Sequence, residues 1–132
     1  MLMTAQRWLY AAAALSGLAG FVHIIAAPEH FDEWLGYGMF FVIASACQFL
    51  YAMMLVAYQP PSREVLWTGI LGNAAIIALW ATTRFIGIPF FGPEAGRTEA
   101  IRFLDLFSVV VEVALMVCVV RLLRWPKVST HS

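Results

Sequence analysis

The chain has 132 residues, of which 62% are hydrophobic and 12% are charged, and its formal net charge is zero. Soluble proteins average about 45–50% apolar and about 25% charged residues, so this composition excludes an ordinary soluble domain and favours one domain embedded in a lipid bilayer. The balanced charge gives no indication of a nucleic-acid partner.

Four apolar segments predict an all-α, up-down-up-down four-helix transmembrane bundle that takes in the whole chain, residues 1–132. Each segment has close to the roughly 20 residues that a helix needs to cross the hydrocarbon of a bilayer. A helix also satisfies its own backbone hydrogen bonds, as the absence of water in lipid requires. The predicted spans are residues 8–27, 37–58, 65–83 and 101–123.

The first span shares some features with a signal peptide, because Arg7 precedes it and Ala27 ends it. Ile25 at the −3 position and Pro28 directly after the cleavage point oppose processing, and His23 interrupts the apolar region. We interpret the segment as a membrane span rather than as a cleaved leader.

The connections between the spans differ in length and composition. The short loop at residues 59–64 is expected to make the second and third helices antiparallel neighbours. Pro28 opens the first connection at a position typical of the first residue of a helix, here a separate turn at the membrane interface. The longest connection, residues 85–100, combines Gly, Pro and apolar residues, and we expect it to fold over the helix ends as a cap.

Basic residues orient the predicted bundle. In a four-span protein both termini share a side with the middle loop, and that side carries five Lys and Arg residues against three on the other side. Because Lys and Arg concentrate on the cytoplasmic side of a membrane, we predict cytoplasmic N- and C-termini. The five are Arg7, Arg63, Arg121, Arg124 and Lys127, and the three are Arg84, Arg97 and Arg102.

Polar residues recur on one face of each predicted span, and polar side chains within a membrane face protein rather than lipid. Asp105 and Glu112, for example, are seven residues apart and therefore share a face of the fourth helix. Packed together, these faces form an outward-opening polar pocket with Glu112 near its floor. The predicted ligand-binding residues are His23, Gln48, Arg84, Asp105 and Glu112.

The same region carries candidate ligands for a divalent metal, since imidazole and carboxylate groups suit Zn, Mn or Fe. His30 and Glu33 are three residues apart, a spacing that places both on one side of a helical turn. No HExxH or ExxH motif is present, and Pro28 is expected to break the helical phase between His23 and His30. The candidate metal ligands are His23, His30, Glu33, Asp105 and Glu112.

Other interpretations of the polar residues stay open. Aromatic residues near the pocket favour a lipid-soluble ligand such as a quinone head group, and the acids favour a membrane enzyme or a proton-handling protein. A third interpretation is an accessory or structural subunit, in which Arg84 pairs with Asp105 or Glu112 only to fix helix packing. The partners considered are the lipid bilayer, a metal or small-molecule ligand, a second copy of the chain, and a larger membrane complex.

Two groups of residues also resemble the pattern of a known protein family. The second half contains Trp80, Arg84, Gly87, Pro89, Gly92-Pro93, Gly96, Glu99, Asp105 and Glu112, and the first half contains His23, Pro28-Glu29-His30, Glu33-Trp34 and Gln48. With this pattern the chain resembles an uncharacterised family of small bacterial four-span integral membrane proteins. The resemblance implies a four-span fold in a bacterial inner membrane, and it implies no activity.

The predicted orientation is tested by single cysteines in a background without the native ones. In intact cells, a membrane-impermeant thiol reagent is expected to label Ala95→Cys, in the outer connection, and to leave Ser62→Cys, in the inner loop, unlabelled until the membrane is opened. Labelling of position 62 but not position 95 in intact cells would reverse the orientation.

Overall fold

The computed structural model of the protein describes residues 2–88, 92–93, 96–98 and 101–125, and this part of the chain contains four α-helices and no strand. The helices are α1 (Leu2–Glu33), α2 (Leu35–Ala57), α3 (Arg63–Phe85) and α4 (Phe103–Leu123). The predicted all-α four-helix bundle is confirmed. By length and composition each helix can cross a membrane, so the chain is a multi-pass membrane protein.

The prediction of a separate turn beginning at Pro28 is wrong, because α1 continues through this residue to Glu33. Proline removes one backbone donor from the helix, and regular bonding is present again at its end, where the Trp34 N–H donates to the carbonyl of His30 at 3.0 Å. Because the helix is continuous, His23 and His30 stay in phase. The expected break between these two histidines is therefore also wrong.

Small residues let α1 and α2 pack closely against each other. Ser16 of α1 donates from Oγ to the carbonyl of Gln48 at 2.7 Å, and Ser45 of α2 donates from Oγ to the carbonyl of Gly20 at 2.7 Å. A Cβ atom at Gly20 would lie only 3.1 Å from the carbonyl oxygen of Ser45. The two hydroxyl groups thus cross the interface in opposite directions and hold the helices in one register.

The order of helices across the bundle is α2–α1–α4–α3. In the described part of the chain, α1 packs on α2 and on α4, and α3 packs on α4, whereas α2 and α3 do not form a fourth extensive pair. Tyr51 of α2 still reaches Gly69 of α3, where the absence of a side chain leaves room for its ring. The consecutive helices α2 and α3 are therefore less closely associated than the short loop predicts.

The apolar core lies in the half of the bundle that is nearer the chain termini. All four helices contribute to it, and the side chains of Leu55, Leu115 and Val119 are completely buried there. Of the two cysteines, Cys118 belongs to this core, Cys47 is exposed, and both thiols are free. The core residues are Leu9, Ala12, Ala13, Tyr51, Leu55, Leu66, Leu115, Cys118 and Val119.

The described residues of the α3–α4 connection fold back over the opposite end of the bundle. Gly96 donates its N–H to the carbonyl of Ile88 at 2.6 Å, which closes part of the loop on itself. Gly92 has a φ of 78°, and any side chain there would overlap the rings of Trp34 and Tyr37, so the loop rests on the α1–α2 junction. The rest of the predicted cap, residues 89–91, 94–95 and 99–100, lies outside the described residues.

Two glycines of α3 make a matched test of this packing. Gly69→Ala is expected to destabilise the protein by about 1–3 kcal/mol, because the added methyl group overlaps the buried Tyr51 ring and overpacks the core. Gly72→Ala meets nothing within 4 Å and is expected to gain up to about 1 kcal/mol from helix propensity. Thermal unfolding in detergent measures both, and equal shifts for the two variants would contradict the packing described for Tyr51.

Candidate functional site

A cavity of about 580 Å³ lies at the end of the bundle where α1 joins α2 and where α3 leads to α4. All four helices line it, and its volume is in the range of about 300–1,000 Å³ that is typical of small-molecule sites. Most of its surface is apolar and much of it is aromatic. The principal wall residues are Tyr37, Phe40, Phe41, Leu79, Trp80 and Leu104.

Glu112 lines the deep end of this cavity and is only 1% exposed. Its Oε1 accepts a hydrogen bond of 2.8 Å from the hydroxyl of Ser108, one helical turn earlier on α4. Its Oε2 is buried and has no hydrogen-bond partner among the described residues. Because rotation about the last side-chain torsion of Glu is soft, the two oxygens exchange places easily, and one acceptor position remains open at the floor.

His23 of α1 lies across from Glu112, with its Nε2 3.8 Å from Oε1 of the carboxyl group. The other ring nitrogen, Nδ1, is 2.8 Å from the carbonyl oxygen of Ala19. A carbonyl oxygen only accepts, so Nδ1 carries a hydrogen and donates it. Nε2 of neutral His23 is then an acceptor like the carboxylate oxygens of an ionised Glu112, and at 3.8 Å the two groups are in contact without a hydrogen bond between them.

Gln48 of α2 is buried behind this pair, and its side-chain amide faces both His23 and Glu112. Within the described part of the chain, neither its Oε1 nor its Nε2 completes a hydrogen bond. An amide offers both donors and an acceptor, so small rotations of Gln48 can serve either protonation state of the pair. Three of the five predicted ligand-binding residues thus lie together, with His23 and Glu112 in the lining of the cavity and Gln48 buried beside them.

The other two, Arg84 and Asp105, form an ion pair at the mouth of the cavity. Nη2 of Arg84 is 2.7 Å from Oδ2 of Asp105, and the two side chains are 6% and 14% exposed. The same carboxylate oxygen accepts the backbone N–H of Arg102 at 3.2 Å, at the beginning of α4. Of the two acids considered as partners for Arg84, Asp105 is the one that binds it, and the pair joins α3 to α4.

The candidate metal ligands are more widely spread. His30 lines the cavity and stacks on Phe41 with a ring-centroid distance of 3.8 Å, while Glu33 is exposed at the end of α1. In residues 2–88, 92–93, 96–98 and 101–125, no three His, Cys, Asp or Glu side chains come close enough to hold a metal ion. His23 and Glu112 alone supply two ligands, fewer than a protein zinc site uses.

Several cavity residues were not among the predicted site residues. Ser108 precedes Glu112 by four residues, and this spacing on one helix face was a usable signal. Thr83 accepts a 2.7 Å hydrogen bond from Arg84, and Arg97 reaches the cavity from the α3–α4 connection. No helical period applies in a connection, so only the tertiary structure places Arg97 there.

Comparisons of the chain with protein-family models, with curated proteins and with solved structures find no match. The resemblance to small bacterial four-span membrane proteins therefore stays a prediction.

Two ion pairs at this end of the bundle allow a direct comparison. Arg84→Gln leaves Asp105 largely buried without its cation and is expected to destabilise the protein by up to about 3–5 kcal/mol. Glu29→Gln breaks the pair between Glu29 and Arg102, in which both side chains are 58% exposed, and is expected to cost no more than about 1 kcal/mol. Thermal unfolding in detergent checks both, and equal destabilisation would contradict a structural role for the buried pair.

Proposed function

We propose that the protein binds a small amphipathic organic molecule in the cavity between its four helices. The observation that carries the proposal is the carboxyl group of Glu112, which is buried at the floor of an otherwise apolar cavity with one oxygen unpartnered among the described residues. A carboxylate at the centre of a membrane costs about 2.5–3.5 kcal/mol on insertion scales. A glutamine could fix helix packing with a lower free-energy cost of insertion. An acid at this position is therefore better explained by a ligand that binds to it.

The lining indicates the chemical class of this molecule. Aromatic side chains along the walls suit a flat apolar body, and Glu112 at the floor suits a hydroxyl or N–H donor. The indole N–H of Trp80 is buried in the wall and has no acceptor in the described part of the chain, so it suits a carbonyl or ether oxygen. A quinol or a similar oxygenated ring has this combination of groups.

The proposal places the protein in a bacterial inner membrane, with both termini in the cytoplasm and the cavity in the outer half of the bilayer. The excess of Lys and Arg on the side of the termini supports this orientation. A molecule of this class partitions into lipid, and it would enter between α2 and α3, which both line the cavity and do not form an extensive helix pair.

Two other functions have narrower support. The 3.8 Å approach of His23 to Glu112 favours proton handling, as part of a relay or of an enzyme that uses a general acid and base. The buried Arg84–Asp105 pair and the hydroxyl bonds between α1 and α2 favour an accessory subunit whose polar groups only fix packing. The packing function leaves the cavity unexplained.

The binding proposal is tested on purified protein in detergent by native mass spectrometry with a short-chain benzoquinol as the probe. The wild-type protein is expected to bind one molecule. Glu112→Gln is expected to bind it about 5-fold to 10-fold more weakly, because glutamine keeps an acceptor oxygen but a hydrogen bond to a charged group contributes about 1–1.5 kcal/mol more than one to a neutral group.

Glu64→Gln is the matched control, since it makes the same change at an exposed residue outside the cavity, and it is expected to bind as the wild type does. Equal affinity in Glu112→Gln and the wild type, or no adduct in either, would sink the proposal. Metal analysis on the same samples addresses the competing ligand: one equivalent of a divalent metal that is lost in Glu112→Gln would favour a metal site instead.

A further inference from the structure

A second concavity, the α3–α4 groove, runs along the surface of α3 and α4 towards the ends of the helices near the chain termini. Its volume is about 980 Å³, and it shares no lining residue with the cavity described above. Alanines of α3 and valines of α4 contribute many of the side chains that line it. The residues that form its apolar floor include Ala74, Ala78, Ala81, Val113, Val117 and Val120.

Two arginines, Arg121 and Arg124, close one end of the groove. Arg121 lies over the ring of Trp8, with its guanidinium carbon 5.5 Å from the ring centroid. Neither arginine has an ion-pair partner among the described residues, and no acid lines the groove. A helix C-terminus supplies only about half of one negative charge, so the groove keeps an excess of positive charge that suits an anion.

The position of the arginines along α4 matches a membrane surface. Trp8 and Trp125 flank the same end of the groove, and Trp residues are enriched at the boundary between head groups and hydrocarbon. From Arg121 to Val113 the helix rises about 12 Å, so the apolar part of the groove extends well into the hydrocarbon. A dry cavity of about 150 Å³ already holds a benzene molecule, and this groove is several times larger.

We propose that the α3–α4 groove is a binding site for one anionic phospholipid of the leaflet on the side of the chain termini. Its phosphate lies between Arg121 and Arg124, which donate to the phosphate oxygens, and one acyl chain lies along Ala78 and Val117. Basic pockets between transmembrane helices bind anionic head groups in this way. The site does not depend on the function of the cavity.

A second copy of the chain fits the groove less well than a lipid. Two copies inserted in one membrane have the same orientation, and a symmetric dimer joins identical surfaces. Such a dimer would bring Arg121 and Arg124 of both copies close together, without an acid in the groove to separate them. The like charges of these arginines would repel each other, whereas the negative charge of a phosphate attracts both arginines.

The proposal is tested by native mass spectrometry of the purified protein with phosphatidylglycerol or phosphatidylcholine added in detergent. The wild type is expected to retain one phosphatidylglycerol in preference to phosphatidylcholine. Removing one basic charge, in Arg124→Gln, is expected to weaken phosphatidylglycerol binding about fivefold, and removing two, in Arg121→Gln/Arg124→Gln, about thirtyfold. Excess inorganic phosphate is expected not to displace the lipid, because phosphate lacks the acyl chain.

Two further variants separate this site from general attraction to positive charge. Arg63→Gln removes an exposed charge on the same side of the membrane but outside the groove, and it is expected to bind as the wild type does. Ala78→Phe keeps both arginines and fills the apolar part of the groove at an exposed position, and it is expected to lose the phosphatidylglycerol adduct. Circular dichroism confirms that each variant is folded.

Four results of the lipid-binding measurements would overturn the proposal. These are equal retention of the two lipids by the wild type, the same loss of binding in Arg63→Gln as in Arg124→Gln, unchanged binding in Ala78→Phe, and displacement of the lipid by inorganic phosphate. The lipid comparison and the phosphate competition use the wild-type protein alone, so they decide the question even where a variant does not fold. A dimer that Ala78→Phe dissociates would assign the groove to a second copy instead.

Discussion

The burial of polar groups away from lipid is the constraint on which the arrangement of the four helices depends. Inside a bilayer a polar side chain has no water to bond with, so each helix turns its polar face towards another helix. Ser16 and Ser45 bond across α1 and α2, and Arg84 bonds to Asp105 across α3 and α4. These contacts set the register in which the apolar side chains then pack.

The two halves of the bundle use this arrangement differently. In the half near the chain termini, the side chains of Leu55, Leu115 and Val119 are completely buried. This half therefore has the close packing of a protein core. At the other end the same four helices surround a cavity of about 580 Å³. Glu112 lies at the boundary between the halves, where its buried carboxyl group meets the packed core. Because the same four helices run through both halves, packing in the first half positions the helix ends that surround the cavity in the second.

Some residues that line the cavity could be selected from the sequence, but their pairings could not. Helical spacing placed Asp105 and Glu112 on one face of α4, and both line the cavity. Spacing could not decide which acid binds Arg84, because both are within one or two turns of the same level. In the structure Arg84 forms an ion pair with Asp105. Glu112 instead lies beside His23 and accepts a hydrogen bond from Ser108. The predicted five-residue metal site also depended on distances between residues of different helices. Helical periodicity relates residues within one helix only, so it could not supply these distances.

The class of the protein follows from its sequence, because the length and hydropathy of an apolar segment are sufficient to specify a membrane helix. The sequence did not determine how the helices meet. Proline usually ends a helix, yet α1 continues through Pro28, since one lost hydrogen bond is offset by its packing on α2 and α4. A short loop usually joins packed neighbours, yet α2 and α3 do not form an extensive pair. Only the tertiary structure decided these features, because each depends on the sum of contacts between helices that are distant in the chain.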